Sequence, residues 1–267
     1  MTYAEHMWIT ASVVLGGLLA VSALMVALWM VQRRTGNAAI VDVGWSFSVG
    51  ALAVLAAVAF DGWVGRRMAI AVVMGIWSVR LGSYLLRDRV LGRQEDGRYA
   101  EMRRGWGQAA NRELFWFFQI QALAAVFFAL PALLASSHHA VGLSGLELAA
   151  LVLWLLAFAG ELVADHQLEQ FKREPSSRGR TCRVGLWRYS RHPNYFFEWL
   201  MWVAYALFAL QAPFGWLALA CPLAMLYFLF RVTGIPLAEA QALRSRGDDY
   251  RQYQRTTSVF VPWRPRP

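Results

Sequence analysis

From Gly185 to Trp199 the chain reads Gly-Leu-Trp-Arg-Tyr-Ser-Arg-His-Pro-Asn-Tyr-Phe-Phe-Glu-Trp, and an apolar run follows. Arg188, Arg191, His192, Asn194, Glu198 and the tyrosines at 189 and 195 thus crowd the mouth of that run. Arg and Tyr alone would anchor a helix at the headgroup layer. The density and order of these groups point instead to a grip on a polar, anionic ligand. Arginine takes phosphate or carboxylate through paired N–H donors, and an asparagine amide offers both a donor and an acceptor.

A second candidate is Asp42, set between Ile40-Val41 and Val43-Gly44-Trp45. An ionisable residue inside an apolar run marks function by default. As a protonated acid Asp42 would donate to a developing oxyanion; as a carboxylate it would tie its helix to Arg80. Tyr84 lies four residues beyond Arg80, on the same helix face, and is read either as an acid or as an interfacial anchor. Trp45 packs against a substrate or a neighbouring helix. His138-His139 have no carboxylate or thiol nearby in sequence, and Cys182 and Cys221 are isolated, so no metal site and no disulfide framework is expected.

These groups must be positioned by membrane helices. The chain has 267 residues, 58% hydrophobic and only 16% charged, where a soluble domain carries about 25% charged residues. A span needs about 20 apolar residues, and about seven runs qualify: 8–31, 40–60, 67–86, 114–135, 145–164, 196–212 and 214–232. The fold expected is an all-α, multi-pass integral membrane protein. Arginine-rich stretches at 87–112, 172–191 and beyond 231 put those loops and the C-terminus in the cytoplasm and the N-terminus outside. Arg66-Arg67 fall on the outer side and are expected to snorkel. The net charge of +9 fits this topology and contact with anionic lipid; arginines confined to short loops between spans exclude nucleic acid as a partner. Residues 1–267 read as a single transmembrane domain, with helices 1–3 and a cytoplasmic loop in 1–113 and helices 4–7 and a tail in 114–267. No segment specifies an oligomeric state. Glu95–Tyr99 reads as a solvated charge run or as a flap over the ligand. After Pro236 a polar helix broken at Gly247 is expected to fold back over Arg191–Tyr195.

The run Arg191-His192-Pro193-Asn194-Tyr195, then Glu239, Gly247 and Tyr250-Arg251-Gln252-Tyr253, resembles a superfamily of membrane enzymes that includes steroid 5-alpha-reductases, sterol reductases and isoprenylcysteine carboxyl methyltransferases. Asp42-Val43-Gly44-Trp45-Ser46, Trp77-Ser78-Val79-Arg80-Leu81 and Glu95–Arg103 resemble its bacterial steroid 5-alpha-reductase-like family, formerly unknown-function family 1295. The resemblance implies a bacterial inner-membrane reductase that holds NADPH from the cytoplasmic side, with a substrate side in 1–113 and a cofactor-binding side in 114–267. It would reduce a carbon–carbon double bond conjugated to a carbonyl in a steroid-like or isoprenoid lipid. Asp165, Arg183, Asn194, Glu198, Glu239 and Tyr253 match the family's cofactor residues, and Trp187 and Tyr250 belong to the same signature. Trp45 and Trp77 would meet the substrate. The second-span Gln-Glu pair of steroid reductases is replaced here by Val41-Asp42, and Trp77 stands where they carry a tyrosine.

The NADPH phosphates need cations, and Lys172, Arg173, Arg178, Arg180, Arg183 and Arg191 lie close together in sequence. No Gly-x-Gly-x-x-Gly follows a strand, so the helices themselves must hold the cofactor. Asn194 suits the nicotinamide amide, and Tyr189 or Tyr195 a ribose or phosphate. His192 is a donor, a base or a turn cap; Glu198 and Glu239 accept from ribose hydroxyls or pair with Arg191. The alternative reaction is methyl transfer from S-adenosylmethionine to a lipid carboxylate or thiol, and a third reading is a non-catalytic lipid-binding protein.

Overall fold

The computed structural model of the chain describes residues 3–232 and 234–266. It is all-helical, as expected, with one isolated bridge between Ser190 and Ser258 among the described residues. Six stretches there are long and apolar enough to cross a membrane: Trp8–Thr35, Ile40–Ala59, Val64–Val90, Gly97–Ser136, Gly145–Arg173 and Gly215–Arg246. The expected span 196–212 is a 17-residue helix, Pro193–Ala209, about 25 Å long at 1.5 Å per residue and short of a hydrocarbon core of about 30 Å. The residues group into two units, Met1–Ser144 with Ala209–Ala218, and Gly145–Phe208 with Leu219–Pro267.

In the first unit α1 (Tyr3–Thr35), α2 (Ile40–Ala59) and α3 (Val64–Leu85) are the long helices. α2 is the central one, packed on α1, on α3, and on α5 (Ala110–Phe128) and α6 (Leu130–Ser136). Small residues permit this. A Cβ on Gly50 would collide with Ser78 of α3, and at that close approach Ser78 Oγ donates to the Ser46 carbonyl at 2.8 Å. Close contact of small residues and interhelical hydrogen bonds are how membrane helices associate without a hydrophobic driving force between them. α3 runs into a wider turn at Leu86–Val90, closed by Leu91 N–H on the Leu86 carbonyl at 2.9 Å. α4 (Gly97–Trp106) follows, with Asp96 as N-cap accepting from Arg98 N–H at 2.9 Å.

Two sequence expectations are corrected in this unit. Arg66 does not snorkel: it is 1% exposed and donates to the carbonyls of His138, Ala140 and Gly142 at 3.0, 2.7 and 2.7 Å. Arg67 donates to Ala57 O at 2.7 Å and to Phe60 O. Carbonyls at a helix end and in a loop have no intrahelical partner, and these guanidiniums supply it, which is why two arginines sit where the charge rule expects none. Glu95–Tyr99 is not a solvated charge run. Glu95 accepts from Ala38 N–H at 2.9 Å and from Arg103 Nε at 3.0 Å, and Tyr99 is 3% exposed.

In the second unit α7 (Gly145–Arg173) buries a stripe at heptad spacing: Glu147, Ala150, Trp154, Ala157, Glu161 and Ala164. α8 (Pro193–Ala209) packs against it. Gly160 lies so close to Phe197 that a Cβ there would collide, and Trp154 Nε1 donates to Tyr205 Oη at 2.7 Å. α9 (Ala220–Arg231) leads to α10 (Ile235–Arg246) and α11 (Asp248–Thr256). Gly247, at φ +53°, separates the last two, a conformation that glycine adopts without strain. The chain then returns along the start of α8: Arg191 N–H donates to Ser258 O at 2.8 Å and Trp263 N–H to Tyr189 O at 2.9 Å. Phe260 is buried with Leu229 and Ile235, beside Phe196 and Trp199.

Candidate functional site

The second unit contains a cavity of about 290 Å³, near the lower end of the volumes of ligand pockets. α7 contributes Leu168 and Lys172; the strap before α8 contributes Thr181, Cys182 and Trp187; the signature contributes Arg191, His192, Asn194 and Tyr195. α10 adds Ala238, Gln241, Ala242, Ser245 and Arg246, and α11 adds Tyr250 and Tyr253. The tail therefore folds back over Arg191–Tyr195 and forms the opposite wall.

Arg191 holds that wall. Its Nε donates to Glu239 at 2.7 Å, and its Nη1 donates to the carbonyls of Gln254 and Thr257 at 2.9 and 2.8 Å. Glu239 also meets His192 Nε2 at 3.3 Å and accepts from Gln254 Nε2 at 2.7 Å. The pairing of Glu239 with Arg191, one of the two roles open from sequence, is the one the geometry realises. Tyr253 Oη donates to the Trp187 carbonyl, with Ser190 O 3.0 Å away. Burial and the neighbouring Tyr250 push the Tyr253 phenol up, so it stays a neutral donor. Asn194 is half engaged: Nδ2 donates to Asp165 at 3.2 Å and Oδ1 accepts from Tyr195 N–H at 3.0 Å, leaving one N–H and one lone pair. Glu198, one turn deeper, accepts from Trp202 Nε1 at 3.0 Å.

The cations named from sequence separate. Lys172 and Arg191 line the cavity. Arg173 pairs with Glu169 at 2.6 Å on an exposed face. Arg183 clamps Asp249, with Nη2 at 2.9 Å from Oδ1 and 2.7 Å from the backbone oxygen. Tyr189 turns to a separate cleft with Pro262, Trp263 and Arg264. Arg246 lines the cavity and was not singled out, since nothing distinguishes it in sequence from the other tail arginines. Glu161 and Glu147 were also missed, although a carboxylate inside an apolar run is the same signal that marked Asp42.

The Arg183–Asp249 clamp carries a pH prediction. Burial acts to raise the Asp249 carboxyl, but the Thr181 N–H bond and the Arg183 and Arg246 charges outweigh it and hold the group below its ordinary 3.8. A folded value below the unfolded one gives stability that is present above about pH 4 and is lost as pH falls through the folded value. The strap at Thr181–Arg183 should therefore loosen on acidification below the ordinary carboxylate range. Hydrogen exchange at the Thr181 amide, which donates to Asp249 at 2.7 Å, should accelerate relative to its own intrinsic rate, and Asp249→Asn should remove that pH dependence.

In the first unit Asp42 is gripped by three donors: Arg89 Nη1 at 3.2 Å, Arg98 Nη2 at 3.0 Å and Tyr99 Oη at 2.7 Å. A carboxylate accepting at both oxygens has no hydrogen to donate, so Asp42 could act as an acid only after losing one of these partners and taking up a proton. Trp45 packs edge to face on Trp77 at 5.9 Å and on Phe128 at 5.6 Å. Arg80 is half-buried, and Tyr84 is exposed.

These observations describe a multi-pass helical membrane protein with a polar cavity built on a His-Pro-Asn signature. The chain matches the family described as "Protein of unknown function (DUF1295)" over residues 28–257, and it belongs to that family. It is also similar to a Schizosaccharomyces pombe protein named "Uncharacterized protein C594.04c", with 29% identity over 257 residues covering 82% of this chain and 73% of the relative. No solved structure matches.

Proposed function

We propose that the protein is an NADPH-dependent membrane reductase of a carbon–carbon double bond conjugated to a carbonyl in an apolar, steroid-like or isoprenoid lipid. The observation that carries this reading is the cavity in which Lys172 and Arg246, neither hydrogen-bonded to any described residue, share walls with Asn194, His192 and Tyr250. Two cations on separate helices suit phosphates. The unused N–H and lone pair of Asn194 suit a carboxamide, and Trp187 and Tyr195 offer aromatic surface. The volume holds part of a dinucleotide, which must extend beyond it. Bound there, NADPH would supply a hydride, while the protein supplies orientation and electrostatics. Asp165 would orient the Asn194 amide. Arg191 and Glu239, engaged with each other, would hold the wall and His192 rather than meet phosphate directly. Within the first unit the candidate acids are Tyr84 and Asp42, and Asp42 would first have to lose one of its three donors and take up a proton.

Melting curves of the detergent-purified protein with NADPH, NADH and S-adenosylmethionine test this. NADPH at 100 times its dissociation constant should add about 2.7 kcal/mol of stability and raise the melting temperature. A rise with S-adenosylmethionine alone would replace reduction by methyl transfer. No rise with any of the three would favour a lipid-binding protein.

A further inference from the structure

His192 lies in the cavity wall with its side chain 7% exposed, its ring stacked on Tyr195 at 5.3 Å and 10°. One ring nitrogen is committed: Nε2 faces Glu239 Oε1 at 3.3 Å. That carboxylate is held on other sides, by Arg191 Nε at 2.7 Å and Gln254 Nε2 at 2.7 Å. A carboxylate only accepts, so Nε2 must carry the hydrogen. In a neutral imidazole the other nitrogen then presents a lone pair. Nδ1 makes no hydrogen bond to any described residue and is not among the fully buried unpaired atoms, and His192 lines the cavity. A ring flip would bring a carbon to Glu239 and lose the bond, so the acceptor side is fixed.

We infer that Glu239 is a positioning residue that sets the His192 ring so that Nδ1 accepts a hydrogen bond from a donor group of the bound nucleotide, a ribose hydroxyl or an amide N–H. This rests on the nucleotide reading above. It divides the cavity chemically: Lys172 and Arg246 attract phosphate oxygens, whereas a bare lone pair at Nδ1 repels them and selects a group that carries hydrogen.

The test begins with wild-type protein containing ¹⁵N-labelled histidine, the His192 signals being assigned by their loss in His192→Gln. Without nucleotide, the spectrum should show the Nε2–H tautomer; an Nδ1–H tautomer overturns the inference. Saturating NADPH should shift Nδ1 in the direction of a hydrogen-bonded acceptor; an unchanged Nδ1 with NADPH demonstrably bound also overturns it. Two variants then separate the ring positions. His192→Asn places a carboxamide near Nδ1, and His192→Gln places one near Nε2. His192→Gln should weaken NADPH binding about tenfold, the equivalent of one hydrogen bond, with His192→Asn retaining more of the affinity. The reverse order overturns the assignment. If wild-type melting ignores NADPH, the functional reading itself fails, an outcome distinct from NADPH binding without touching Nδ1.

Discussion

Arg191→Ala is expected to release α10 and α11 from the start of α8 and to abolish the NADPH-dependent rise in melting temperature. The Arg191 and Glu239 side chains are 11% and 15% exposed. Removing one partner of such a pair leaves an uncompensated charge, a loss of about 3–5 kcal/mol, and here it also strands the Gln254 and Thr257 carbonyls. Hydrogen exchange over residues 239–257 should show loss of protection before the membrane helices lose theirs. Arg191→Lys keeps the charge but not the fork of donors, and should fall between wild type and alanine. Arg173→Ala is the control: its pair with Glu169 is 75% and 61% exposed, and such surface pairs contribute about 0–1 kcal/mol. Retained protection of the tail in Arg191→Ala would mean that Phe260 and Tyr253 hold it unaided.

Asp42→Ala is expected to destabilise the first unit by about 2–3 kcal/mol. Breaking a fully buried pair costs about 3–5 kcal/mol, and the Asp42, Arg89 and Arg98 side chains are 21%, 30% and 26% exposed, so solvent screening brings the loss below that range. Asp42→Asn should recover part of the loss, since an amide oxygen still accepts from Tyr99 while its NH₂ opposes a guanidinium. A double-mutant cycle with Tyr99→Phe should return a coupling of about 0.5–3 kcal/mol. A substitution that leaves the melting temperature unchanged but abolishes turnover would instead make Asp42 the acid and not a tie.

The helices were legible because hydropathy over a bilayer's thickness is a strong and local signal. The tail's return was legible for a related reason: a polar helix with Pro236 near its start and Gly247 at its end has little apolar face to offer a membrane. What could not be read was pairing over distance. Asp42 suggested Arg80, on the next span, but Arg89 and Arg98 reach it because the wide turn at Leu86–Val90 and the Asp96-capped α4 bring the chain back, and neither has a hydropathy signature. Arg66 looked like an exception to charge topology, because its carbonyl partners at His138–Gly142 lie more than seventy residues away. In the cavity, the signature supplied Asn194, His192 and Arg191. It did not reveal which cations were already engaged: Arg183 and Arg173 have carboxylate partners, while Arg246 is directed to the cavity.

The cavity wall has a consequence for biosynthesis. Residues 165–195 emerge from the ribosome well before residues 239–257, and a chain made from its N-terminus folds its early parts first. Until the later segment is made, Arg191 has neither Glu239 nor the two carbonyls, and His192 has no carboxylate to fix its ring. The nascent chain can therefore insert its helices before the cavity wall exists, and on the proposed reading it would not yet hold a nucleotide. The cavity is complete only once the tail has been synthesised and docked, so the ligand-dependent melting shift proposed above would also report how much of a preparation has been completed and correctly closed.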